Sequence, residues 1–172
     1  MTFLKILEWL NLTKLFKVRK TTEATPVPPT DHVLRYIRPT AVEDDGTING
    51  SGFLKKPDHK GTSVNWIEYF KGNLECQVDQ IRRKARMTYA KTGLLARLNV
   101  GIICSHVLEK TANDYDLKIV KDPLEETEED EEDPSHALIK GTPSINDLQG
   151  EYVGDLIVEC IIDTFPATPK RT

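Results

Sequence analysis

Arg35, Ser51, Ser63 and His136 are the residues of this sequence whose chemistry would fit together best. An arginine on a first strand, serines in later segments and an imidazole could form a cleft for a nucleotide or NAD. No glutamate stands out as a catalytic acid beside them. Other chemistries fare worse. Cys104 and His106 stand two residues apart, which puts them on different sides of a helix, and no second Cys/His pair supplies a zinc set. Gly50-Ser51-Gly52 follows a turn but opens no helix, so it is neither a phosphate loop nor a dinucleotide fingerprint. There is no Gly-x-Ser-x-Gly elbow. The sequence therefore predicts no metal and no cofactor. Arg82, Arg83, Lys84 and Arg86 form a basic patch able to touch phosphates. Glu75 and Asp79 lie one turn back, and Tyr89 is the one aromatic nearby, so a solvated face or a seat for the chain's own acid fits better than nucleic acid. That acid is the run Glu125-Glu126-Thr127-Glu128-Glu129-Asp130-Glu131-Glu132-Asp133. It must stand in water or meet a basic partner. It lacks the alternating ligands and central glycine of a calcium loop.

The chain has 172 residues, 38% hydrophobic and 29% charged, with a net charge of −4. That suits one domain with a real core plus tails. Cys76, Cys104 and Cys160 are odd in number and far apart. They are expected as small buried hydrophobes in a reducing, cytoplasmic setting.

Residues 1–20 mix Phe3, Leu7, Trp9, Leu10 and Phe16 with lysines. They fit neither a signal peptide nor a spanning helix, and predict an apolar, basic helix for a protein partner or a membrane surface. Residues 21–31 carry three prolines and read as an extended linker. An α+β domain over 32–166 follows, with an acidic loop at 123–134 and a tail at 167–172. Strands are expected at 32–38 and 52–54, and Ser63–Phe70 fits either a strand or a helical turn. A helix is expected over Leu74–Ala90, with Asp79 and Arg83 as an i,i+4 pair. A second helical stretch lies within 94–110 and is capped by Asn99. Strands at 116–122 and 135–141 could form a hairpin around the acidic loop. A last helix is expected to open at Ser144 and end at Pro166. The class is α+β: a small, mostly antiparallel sheet covered on one side by two or three helices, with a separate N-terminal helix.

Several pieces, Leu34-Arg35-Tyr36-Ile37-Arg38, Gly52-Phe53-Leu54 and His136-Ala137-Leu138-Ile139-Lys140-Gly141, together resemble a group of small bacterial proteins. These share an arginine-bearing first strand, a Phe-containing second strand and a late His-Ala-Leu-Ile-x-Gly strand. The resemblance covers about residues 32–141 and implies a bacterial, cytosolic origin but no catalytic role.

The leading expectation is a non-catalytic interaction or regulatory protein of a bacterial intracellular system. It would bind a protein partner through Phe3, Leu7, Trp9, Leu10 and Phe16 and through Arg82, Arg83 and Arg86. The alternative is a small enzyme using Arg35, Ser51, Ser63 and His136 in a site similar to those of NAD-using ADP-ribosyl transfer. A third reading is nucleic-acid or membrane-surface binding through the basic patches.

Overall fold

The computed structural model describes residues 24–168. Phe3, Leu7, Trp9, Leu10 and Phe16, expected from the sequence to meet a partner, and the expected N-terminal helix that carries them lie outside these residues. The fold is α+β. Six strands, β1 (His32–Ile37), β2 (Thr62–Trp66), β3 (Leu94–Asn99), β4 (Lys118–Lys121), β5 (His136–Lys140) and β6 (Ile161–Pro166), make one antiparallel sheet in the order β4-β5-β2-β1-β3-β6.

Helices cover both faces of the sheet, not one. Alternation along β1 sets this up: Val33 and Ile37 enter one core, Leu34 and Tyr36 the other. The first core packs against α2 (Val100–Lys110) and α3 (Gly150–Val158) through Ile103, Val107, Val153 and Ile157. The second packs against α1 (Leu74–Lys84) through Val78 and Ile81. Each of these two side chains is fully buried and contributes about 2 kcal/mol.

Asparagine caps start two helices: Asn73 accepts from Cys76 N at 3.0 Å and Asn99 from Ile102 N at 3.0 Å. The Asn99 cap was legible in the sequence. Leu94–Asn99, read as helical, is a strand: β3 is an inner strand buried on both faces. Its apolar run therefore has no period of two. Helix α1 ends at Lys84, so Tyr89 lies beyond it and stacks on Tyr36 with ring centroids 4.7 Å apart. Asp79 pairs with Arg82 at 2.6 Å; Arg83 instead donates to the Asp79 carbonyl.

The C-terminal reading also needs correction. Ser144 and Asp147 cap turns, accepting from Asn146 N and Gln149 N, and the helix starts only at Gly150. Ile161–Pro166 is an edge strand on β3, a place that tolerates its proline. Thr25 and Val27, expected in a free linker, lie along β4. Val27 N donates to Ile119 O at 3.0 Å, Lys121 N donates to Thr25 O at 2.8 Å, and Val27 is buried. Ala167 is buried too, its amide bonded to Gly93 O, so the domain outlasts residue 166. Of the cysteines, Cys160 is buried and Cys104 half-buried, its thiol pushed up to about 11 by burial; Cys76 is exposed.

Candidate functional site

Three of the four residues singled out for chemistry meet in one cleft. β1 and β2 pair only at Val33–Trp66 and Leu34–Asn65, then part. Arg35 fills the gap. Its Nε donates to Gly52 O at 2.9 Å and its Nη1 to Ser63 O at 2.9 Å. Two main-chain carbonyls thus fix the guanidinium, and Nη2 has no hydrogen-bond partner among the described residues. Burial, and then the nearby charge of Arg38, push its pKa down to about 10. It remains a cation at neutral pH. Among the described residues, no carboxylate pairs with it.

Ser51 reaches the cleft on a 3-10 turn, Gly50–Phe53, which also takes up most of the segment 52–54 expected as a strand. Asn49 closes this turn by accepting from Ser51 N at 2.8 Å. Gly50 and Gly154 hold it against α3 in backbone contact: a Cβ on Gly50 would stand 2.6 Å from Asp155 N. A second tie is polar. The buried Thr62 hydroxyl donates to Phe53 O at 2.9 Å and lies 3.1 Å from the Thr142 hydroxyl. Turn, β2 and the loop after β5 are thereby locked around Arg35.

The cleft holds about 300 Å³. Arg35, Arg38, Lys55, Lys56 and His59 line it, together with the hydroxyls of Thr40, Ser51 and Ser63. No carboxylate lines it, so the local field is positive although the chain is net acidic. Leu54, Met87 and Ile145 form an apolar rim. A second cavity of about 240 Å³ shares Ser51, Leu54 and Ile145 and is bounded beyond them by Asp147, Leu148 and Glu151.

His136 is not part of this site. It sits on β5 opposite Asn65, with Nδ1 2.7 Å from Asp122 O and 3.3 Å from Asp122 Oδ2. The four-residue catalytic cluster expected from the sequence therefore splits three and one. No set of three or more His, Cys, Asp or Glu able to hold a metal occurs among the described residues, and no helix there is long and apolar enough to cross a membrane.

The basic patch is largely occupied from within. Lys84 Nζ pairs with Glu131 at 2.8 Å, Arg86 Nε donates to Glu131 O at 3.2 Å, and Arg86 Nη2 donates to Glu125 O. Arg82 Nη2 donates to Pro166 O at 2.6 Å. Arg82 and Arg86, expected to bind a partner, thus hold the chain's own backbone; among the described residues, Arg83 alone of the three makes no tie outside its helix. The loop itself is tethered at its neck by paired bonds between Leu124 and Asp133. Asp133 closes the acidic run in sequence but is buried. It accepts from Asn65 Nδ2 at 2.8 Å and from the Ser135 hydroxyl at 2.7 Å.

The bond from Lys84 holds the Glu131 carboxyl below its usual range. A carboxyl lowered on folding contributes above its ordinary pKa and ceases to do so as pH falls through the lowered value. The clasp is therefore a neutral-pH feature that acid opens. Arg86→Ala is expected to speed cleavage of the loop by a Glu-specific protease by about two- to fivefold at neutral pH. An unchanged rate would show that Arg86 does not hold the loop.

Sequence reasoning missed Arg38, Lys55, Lys56 and His59. The available signal was a local excess of cations flanking the Gly-rich turn in an acidic chain. Compared with protein-family models, curated proteins and solved structures, the chain matches none.

Proposed function

We propose that this chain is a non-catalytic binding protein of an intracellular system and that its ligand is an anion seated against Arg35. One observation carries the reading: a guanidinium fixed by two carbonyls, with no carboxylate partner, at the base of a cleft lined by further cations. Keeping such a charge partly out of water costs stability unless an anion completes it. The lining offers little for making or breaking bonds. It has no carboxylate and no thiol, and among the described residues no side chain bonds its one imidazole, His59.

Residues 1–20 serve in this reading as the surface for a protein partner, on the strength of their apolar and basic composition. Deleting residues 1–22 is expected to abolish partner capture; full retention would remove that role.

The binding claim is tested by thermal melts in phosphate against chloride at equal ionic strength. At about 100 times the dissociation constant, phosphate should raise the melting temperature by roughly 5–10 °C. Equal melting in the two salts would overturn the proposal.

A further inference from the structure

We infer that the anion is the dianionic phosphate of a small phosphate monoester whose organic body is apolar and lies over Leu54 and Ile145. The inference rests on the anion-binding reading above and deepens it.

The donors in the cleft fit a phosphate better than a carboxylate. A carboxylate is planar, carries one charge and accepts through two oxygens. A phosphate monoester is tetrahedral, carries close to two charges near neutral pH and offers three terminal oxygens. The cleft supplies four permanent cations, Arg35, Arg38, Lys55 and Lys56. None of them has a carboxylate partner among the described residues. The hydroxyls of Thr40, Ser51 and Ser63 line the same space and make no hydrogen bond among the described residues. A single negative charge would leave most of this field unanswered.

The neighbouring cavity defines the other end of the ligand. It joins the cleft across Ser51, Leu54 and Ile145, and Ile145 and Leu148 are both exposed large apolar side chains. Beyond them stand Asp147 and Glu151, which repel a second anionic group. A molecule charged at one end and apolar at the other matches this sequence of surfaces: cationic floor, apolar step, acidic far wall.

The test titrates the full chain with inorganic phosphate, phenyl phosphate and benzoate by calorimetry at fixed ionic strength. Phenyl phosphate should bind about tenfold more tightly than inorganic phosphate, because its ring leaves water on the apolar step. Benzoate should bind at least about tenfold more weakly than phenyl phosphate. Ile145→Ala, a change at an exposed side chain, should remove most of the roughly tenfold preference for phenyl over inorganic phosphate, and a preference that persists in full would overturn the apolar body. Equal affinity of the wild-type chain for phenyl and inorganic phosphate would overturn the apolar body. Equal affinity for benzoate and phenyl phosphate would overturn the phosphate class while the anion reading stands. Binding of none of the three would end both.

Discussion

Arg35→Met is expected to lose anion affinity by at least about 30-fold, the effect of removing one partner from a buried charged pair. The ligand-free variant should nevertheless melt no lower than the wild type. The guanidinium is partly desolvated and has no acidic partner among the described residues, so an apolar side chain of similar length removes a standing cost. Replacements of this kind are neutral or stabilising by about 1 kcal/mol or more, which is a rise of up to roughly 2–4 °C for a chain of this size. The carbonyls of Gly52 and Ser63 lose their donor, but they face an open cleft where water can replace it. Arg35→Lys separates charge from shape. It keeps the cation but cannot donate to both carbonyls at once, so it should lose affinity without gaining stability. A methionine variant that binds phosphate normally, or melts well below the wild type, would show that Arg35 is structural.

Gly154→Ala is expected to cost about 3 kcal/mol and lower the melting temperature by roughly 6–12 °C. The reason is backbone geometry. Gly154 lies in α3 with its Cα over Gly50, so an added Cβ would run into the Gly50 carbonyl. No rotamer relieves such a contact; the turn carrying Ser51 must move off the helix. Because that turn also supplies the Gly52 carbonyl that fixes Arg35, affinity for phosphate should fall together with stability. Gly46→Ala is the comparison. A Cβ there meets nothing within 4 Å, and the cost comes only from its φ of +89°. The stability loss should be smaller and the cleft untouched. If Gly154→Ala melts like the wild type, the glycine contact does not position the site.

The parts of the fold legible in the sequence were those with a one-sided pattern. The hairpin of β4 and β5 brackets the acidic loop as expected. Helix α1 begins where its apolar spacing begins. Strands buried on both faces, or continuing a helical stripe, were misread. Leu94–Asn99 has apolar residues on both sides. Ile161 falls at a helical interval from Ile157, so the end of α3 and the start of β6 merge in one periodic run. The site was half legible for a similar reason. Arg35, Ser51 and Ser63 were found because an arginine on a first strand followed by serines in later segments suggests a site for a nucleotide. Their convergence depends on β1 and β2 parting after Leu34, a tertiary event with no local signature. His136 was grouped with them for the chemistry of its imidazole alone, yet its ring is held by Asp122 at the hairpin. The internal clasp between the acidic loop and Lys84 and Arg86 followed from charge alone.

The most direct measurement is an amide chemical-shift map of the isotopically labelled chain during titration with inorganic phosphate. The account predicts saturable shifts at Arg35, Gly52, Lys56 and Ser63, with His136 and residues 125–132 unmoved. Shifts confined to the basic residues of α1, or no saturable shift at any residue lining the cleft, would contradict it.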